Sequence, residues 1–168
     1  MPYVASSRRY RVQAAARCAV DGLLVGGAEA AAGFPARSRS RALGFAGVLS
    51  LAAADAVVRE LPALREALRG LPPQPRPAGE QEADVQVAVR TLACGLAVAV
   101  ADRPLSRVLR RRGVPRPRLL IGLLAGLVTA AATAPVRRRQ AAVRAAEHQS
   151  AADLDAELAQ LLAETRTD

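Results

Sequence analysis

Residues 12–29 of the chain recur as residues 85–102, and this internal repeat constrains the fold more than any motif does. The first copy reads VQAAARCAVDGLLVGGAE and the second reads VQVAVRTLACGLAVAVAD. Val-Gln, an arginine and Gly-Leu are identical in register, and each copy closes with an acid. A repeat of this length is typical of a duplicated supersecondary unit. It predicts two helical hairpins, residues 8–69 and 81–144, made from one ancestral unit.

Apolar periodicity and helix-ending residues define the elements of these hairpins. The predicted helices cover residues 12–32, 41–69, 82–101 and 118–135. A Pro-rich linker, residues 70–80, separates the hairpins and is expected to be extended and semi-rigid. In the acidic tail, residues 145–168, leucines 154, 158, 161 and 162 share one helical face behind a capping-box-like Ser150–Asp153. The sequence therefore predicts an all-α fold: a four-helix membrane bundle of two duplicated hairpins, plus a C-terminal amphipathic helix.

The membrane prediction depends on the length of the uncharged runs. Leu119–Val136 has 18 residues without a charge, close to the roughly 20 that a spanning helix needs. The first helix carries Arg17 and Asp21, and one isolated charge costs about 3 kcal/mol on insertion scales. Those two residues are four apart, as are Asp55 and Arg59, so each pair is expected to meet on its own helix. We expect a multi-pass protein of the cell membrane, with a soluble or peripheral bundle as the alternative.

The positive charge of the chain is compatible with two classes of partner. All 24 basic residues are arginine, the net charge is +9, and such a chain suits nucleic acid or an anionic membrane. Only 2% of residues are aromatic, so few side chains are present on which nucleic-acid bases could stack, and the arginines lie at the ends of apolar segments. We therefore expect membrane lipids as partners, and no nucleic acid. The distribution of arginines between the two sides weakly favours cytoplasmic termini.

The two short loops between helices are strongly basic. Residues 33–41 and 103–118 together hold ten arginines and no acid. Such loops suit anionic headgroups or an acidic protein partner, and the alternative role is to set topology and anchor the interface. The candidate contact residues are Arg37, Arg39, Arg103, Arg110, Arg111 and Arg112.

Small residues in the fourth helix mark a packing surface. Gly122, Gly126, Ala130 and Ala134 recur at four-residue spacing, which lets two helix backbones approach closely in lipid. This small-residue stripe predicts either a homodimer seam or contact with another helix of the same chain. We favour the second, because the chain already supplies three helices.

Glu29 and Asp102 occupy equivalent positions in the two copies of the repeat. An ionisable group inside a membrane is a functional candidate, and an acid pair that meets there is able to hold a cation or a proton. The alternative is that each acid lies at its helix end and pairs with a loop arginine such as Arg37 or Arg103.

No catalytic arrangement is evident. His148 is the single histidine, and no serine or cysteine stands in a nucleophile motif. We expect no catalytic, metal or cofactor site. The sequence predicts a non-enzymatic membrane scaffold or partner-binding protein, with a small transporter or channel using Glu29 and Asp102 as the alternative.

Overall fold

The computed structural model describes residues 3–72 and 78–164, and within them the chain is four helices with no strand. The elements are α1 (Tyr3–Ala32), α2 (Arg39–Leu68), α3 (Ala78–Arg111) and α4 (Pro117–Glu164). The predicted all-α, four-helix architecture is confirmed. Residues 73–77 of the Pro-rich linker and the last tail residues, 165–168, lie outside the described part.

Local sequence signals end each helix. Ser38 caps α2, because its side-chain oxygen accepts a hydrogen bond from the N–H of Arg41 at 3.2 Å. Gly70 and Gly113 follow α2 and α3 with φ angles of 72° and 78°, the left-handed conformation that closes a helix C-terminus. The short loops after α1 and α3 therefore lie at the same end of the bundle, which we call the loop end.

The centre of the bundle is the antiparallel pair α1 and α4. α2 packs on α1, α3 packs mainly on α4, and α2 and α3 make no backbone approach to each other. Under the duplication α1 corresponds to α3 and α2 to α4, so a two-fold axis would give α2 and α3 the same contact that α1 and α4 make. The packing of the hairpins therefore does not follow such an axis, although the repeat predicts one.

Glycines bring the backbones of α1 and α4 together. A Cβ atom added at Gly22 would lie 2.5 Å from the carbonyl oxygen of Gly126, and one at Gly26 would lie 2.4 Å from that of Gly122. Both distances are far below ordinary contact, so only glycine fits at these positions. The small-residue stripe of α4 thus lies against the corresponding pair of glycines in α1, within one chain.

α4 is longer than the sequence predicts. It continues through Pro135 and runs unbroken to Glu164, so the tail is not a separate helix. Proline removes one backbone hydrogen bond from a helix interior. Here Arg90 of α3 donates to the carbonyl of Ala132 at 2.8 Å, in the turn that Pro135 disturbs. Buried residues on both sides of Pro135, among them Thr133 and Val136, hold the helix in place.

The expected capping box in the tail is wrong for the same reason. The Ser150 hydroxyl donates to the carbonyl of Ala146 at 3.1 Å, a bond made inside a continuing helix. At 48 residues α4 is roughly 72 Å long, more than twice the thickness of a bilayer core. α3 also exceeds its prediction, because residues 102–111 prolong the helix through Pro104.

Three helices are long and apolar enough to cross a membrane: α2, α3 from Gly79 to Arg111, and α4. The most apolar stretch of α2 has no buried residue, and 6% of that of α3 is buried. The chain exposes 12440 Å², whereas a compact soluble protein of 17.5 kDa exposes roughly 7,900 Å². α1 is not among the three, so its spanning, expected from the repeat, is not supported by its own composition.

Candidate functional site

Charged side chains of α1 point into the bundle and meet partners from other helices. The most buried contact joins Asp21 of α1 to Arg137 of α4, which are 7% and 3% exposed. The guanidinium donates from Nε and Nη2 to the two carboxylate oxygens, each at 3.1 Å. This bidentate geometry is the strongest form of the arginine–carboxylate pair.

Two polar residues extend this contact to α3. Arg137 donates from Nη1 to Gln140 Oε1 at 3.4 Å, and Gln140 donates from Nε2 to Asp84 Oδ1 at 3.2 Å. Arg137 Nη1 also lies 3.6 Å from Asp84 Oδ1. One buried arginine therefore ties three helices together, and its positive charge faces two carboxylates.

The expected local pairs of α1 and α2 have different outcomes. Asp55 pairs with Arg59 one turn on in α2 at 2.5 Å, which confirms that prediction. The pairing of Asp21 with Arg17 is wrong, because Asp21 turns towards α4 and takes Arg137 instead. A bidentate partner anchored in the most extensive helix contact outcompetes a neighbour on the same helix face.

A second cluster, which we call the acid cluster, lies nearer the loop end and consists of Glu29, Asp102 and Arg118. The carboxyl groups of Glu29 and Asp102 lie within reach of a side-chain hydrogen bond, and Arg118 faces them from α4. Arg118 Nη2 lies 3.0 Å from Asp102 Oδ2, and its Nη1 donates to the carbonyl of Ala32 at 2.6 Å. The structure therefore brings together the two acids that the repeat places at equivalent positions.

Three buried atoms in the acid cluster have no hydrogen-bond partner. They are Glu29 Oε1, Asp102 Oδ1 and Arg118 Nε, and the remaining such atom in the described residues is Thr91 Oγ1. Buried polar atoms without partners are rare and call for a physical explanation. The alternative expectation, pairing of each acid with a loop arginine such as Arg37 or Arg103, holds for Asp102, which pairs with Arg118 of the predicted 103–118 loop, whereas Arg37 and Arg103 are exposed.

The candidate contact arginines gather at the loop end and face outwards. The exposed residues are Arg37, Arg39, Arg103, Arg110, Arg111 and Arg112. Arg37 occupies the left-handed region with φ at 66°, which turns the chain between α1 and α2. The Arg41 guanidinium lies 5.7 Å from the centre of the Phe45 ring, a cation–π contact within α2. This end of the bundle therefore presents unpaired positive charge to its surroundings.

A groove of about 500 Å³ opens between α2 and α3. Its polar lining comes from Asp21, Asp84, Arg59 and Arg137, and its apolar lining is mainly α3, including Leu92. The charged groups already pair with one another, since Asp21 and Asp84 face Arg137 and Asp55 faces Arg59, whereas the hydroxyl of Thr91, which also lines the groove, has no partner. Among the residues that the structure describes, no three histidine, cysteine or acidic side chains lie together as a metal site would require.

Comparison with protein-family models, with curated proteins and with solved structures gives no match for this chain.

Sequence reasoning missed the arginines that organise the interior. Arg118 and Arg137 stand immediately before and after the uncharged run Leu119–Val136, the position in which arginines usually flank a span. A helical side chain leans towards the N-terminus of its helix, so Arg137 reaches back into the bundle. The available signal was the acid at position 21 of α1, because a buried acid demands a cation, but the sequence offered Arg17 on the same helix as that cation.

Proposed function

We propose that the chain is an integral membrane protein that acts as a non-enzymatic scaffold, with all four helices in the bilayer. The observation that carries this proposal is the inward direction of the charges of α1. Asp21 pairs with Arg137, and Glu29 lies in the acid cluster with Asp102 and Arg118. The two acids of a helix that is too polar to span alone are thereby matched to arginines of α4.

The depth of α1 follows from its contact with α4. Gly22 and Gly26 touch the backbone of α4 at Gly126 and Gly122, in the first half of the uncharged run. Two helices in backbone contact lie at the same depth. If the uncharged run of α4 crosses the bilayer, α1 crosses beside it, and this gives four spans with the two termini on one side.

The outer faces of α2 and α3 support a lipid environment. Leu43 and Leu49 of α2 are 72% and 69% exposed, and Leu92 of α3 is 65% exposed. A soluble monomer rarely leaves contiguous apolar faces of this size open. Acyl chains would cover them without any further partner.

The loop end is the part of the scaffold that binds. Its exposed arginines and the absence of acids suit anionic lipid headgroups, with roughly 1 kcal/mol contributed by each basic residue near a charged surface. The acidic tail of α4 extends from the opposite end, with residues 151–164 exposed. The two ends would therefore meet different environments, one on each side of the membrane.

Carbonate extraction of membranes is the first test, and we expect the full chain to stay in the membrane fraction. Single cysteines then report topology, in a background lacking Cys18 and Cys94. We expect cysteines at Ala36 and Val114 to react with an impermeant maleimide from one side, and cysteines at Gly70 and Arg8 from the other. Release of the protein by carbonate would overturn the membrane proposal. A residue 8 that reacts from the side of residue 36 would overturn the spanning of α1.

Lipid binding at the loop end has a matched control. Replacing Arg110, Arg111 and Arg112 with glutamine should reduce the anionic lipid that copurifies in mild detergent. Three further arginines, at positions 8, 9 and 11, lie at the opposite end, and the same replacement there should change it less. If the two triple variants lost equal amounts of anionic lipid, binding would depend on the overall positive charge and not on a site at the loop end.

One observation favours a second candidate function, the transport of protons or cations, because Glu29 and Asp102 meet inside the bundle. Flux into liposomes that contain the purified protein tests it. No flux from the wild type, or equal flux from the Glu29→Gln/Asp102→Asn double variant, would remove this candidate.

A further inference from the structure

In the acid cluster two buried carboxyl oxygens lack a hydrogen-bond donor, and a proton on one of the acids would supply one. Glu29 and Asp102 lie within hydrogen-bonding reach, yet each keeps one buried oxygen without a donor. Two ionised carboxylates have only acceptors to offer each other. A single proton on either group turns one of the two acceptors into a donor, so that the two carboxyl groups can form a hydrogen bond with each other.

The charge balance of the cluster also favours a single bound proton. The groups that interact with Glu29 are Asp102 of α3 and Arg118 of α4, and no side chain of α2 is among them. With both acids ionised the cluster carries one excess negative charge, and with both protonated it carries one excess positive charge. With one proton it is neutral, the form in which a buried cluster costs least.

We propose that Glu29 and Asp102 share one proton, held between them beside Arg118, and that this proton fastens α3 to α1. The proposal concerns binding and does not depend on transport. When the proton leaves to the solvent, the Glu29–Asp102 hydrogen bond breaks and two like charges face each other. Arg118 remains with Asp102, so the negative charge left over belongs to Glu29.

The bond is well placed to act as a latch. α1 and α3 touch in few places, whereas each packs along α4 over a long stretch. Arg118 of α4 contacts both helices here, because it pairs with Asp102 of α3 and donates to the carbonyl oxygen of Ala32 at the end of α1. Loss of the proton should therefore separate α3 from α1 at the loop end and leave the α1–α4 contact intact.

Infrared spectroscopy of the full chain in lipid nanodiscs tests the shared proton. We expect a protonated-carboxyl band at neutral pH that shifts when glutamate or aspartate is ¹³C-labelled at the carboxyl carbon, and this measurement needs no variant. The band should vanish in Glu29→Gln, because Asp102 then pairs with Arg118 alone, and in Asp102→Asn, because Glu29 takes Arg118. Asp55→Asn, which removes a carboxylate paired within α2, is the control and should keep the band.

Spin labels at positions 36 and 103, both exposed at the loop end, test the latch. In the wild type the distance between the labels should lengthen as rising pH removes the infrared band, and in Glu29→Gln it should not respond to pH. Absence of the band from the wild type, or its survival in both cluster variants, would overturn the shared proton. Loss of the band with no change in distance would overturn the latch.

Discussion

Gly26→Ala places a methyl group where α1 and α4 touch, and its cost follows from the geometry. The new Cβ would lie 2.4 Å from the carbonyl oxygen of Gly122, about 1 Å inside ordinary contact. That oxygen belongs to a helix backbone and has no rotamer with which to move away, so the helices must separate. Overpacking of this kind costs typically about 1–3 kcal/mol. We expect Gly26→Ala to lower the free energy of unfolding by that cost, less the roughly 1 kcal/mol that alanine gains over glycine in a helix interior.

Gly95→Ala is the matched control, because the same substitution meets open space. A Cβ at Gly95, in the middle of α3, has no atom within 4 Å. Alanine is favoured over glycine in a helix interior by about 1 kcal/mol, so this variant should be more stable than the wild type. Gly26→Ala gains the same propensity, so the two variants should differ by the overpacking cost, about 1–3 kcal/mol, and lie on opposite sides of the wild type when that cost exceeds about 1 kcal/mol.

The assay is equilibrium unfolding of the full chain in mild detergent, titrated with a denaturing detergent and followed by circular dichroism. Loss of helix reports the free energy of unfolding for the two variants and the wild type under one set of conditions. If Gly26→Ala proved as stable as Gly95→Ala, the backbone contact between α1 and α4 would be refuted. Helix propensity alone cannot produce opposite signs from one chemical change.

Two further predictions concern the same central pair. Arg137→Gln should cost about 3–5 kcal/mol, because it leaves Asp21 buried without a cation. The Asp21→Asn/Arg137→Gln double variant should recover much of this loss, and Arg138→Gln, at the exposed neighbouring position, should change stability little. A double variant less stable than Arg137→Gln in the same unfolding assay would refute the pairing. Gly126→Ile should destabilise the monomer without abolishing any dimer trapped by cross-linking in membranes, and a dimer lost while the monomer keeps its stability would instead place the small-residue stripe at a homodimer seam.

The sequence was informative where periodicity and small residues decide the structure. The four bundle helices, the loop after α1 and the bounds of α2 follow from apolar runs and from Gly, Pro and Ser at their ends. The meeting of Glu29 and Asp102 was anticipated from their equivalent positions in the repeat. That reasoning used a two-fold axis which the packing lacks, because α2 and α3 do not touch.

Local signals failed where a tertiary contact overrides them. Pro135 reads as a helix end, yet α4 passes through it because buried residues follow on the same face and Arg90 bonds a carbonyl in the preceding turn. Arg17 reads as the partner of Asp21, yet Arg137, 116 residues away, makes two hydrogen bonds to it. No pattern within one helix specifies a partner at that separation.

The charges of α1 also bear on the order in which the bundle assembles. Asp21 has its cation in Arg137, and Glu29 has its partners in Asp102 and Arg118, all of which follow α1 by more than seventy residues. Until α4 is made, α1 carries carboxylates with no buried partner, and each costs about 3 kcal/mol in the centre of a bilayer. α4 has the only 18-residue uncharged run and can insert unaided. In the proposed four-span arrangement, stable placement of α1 therefore depends on the last helix of the chain.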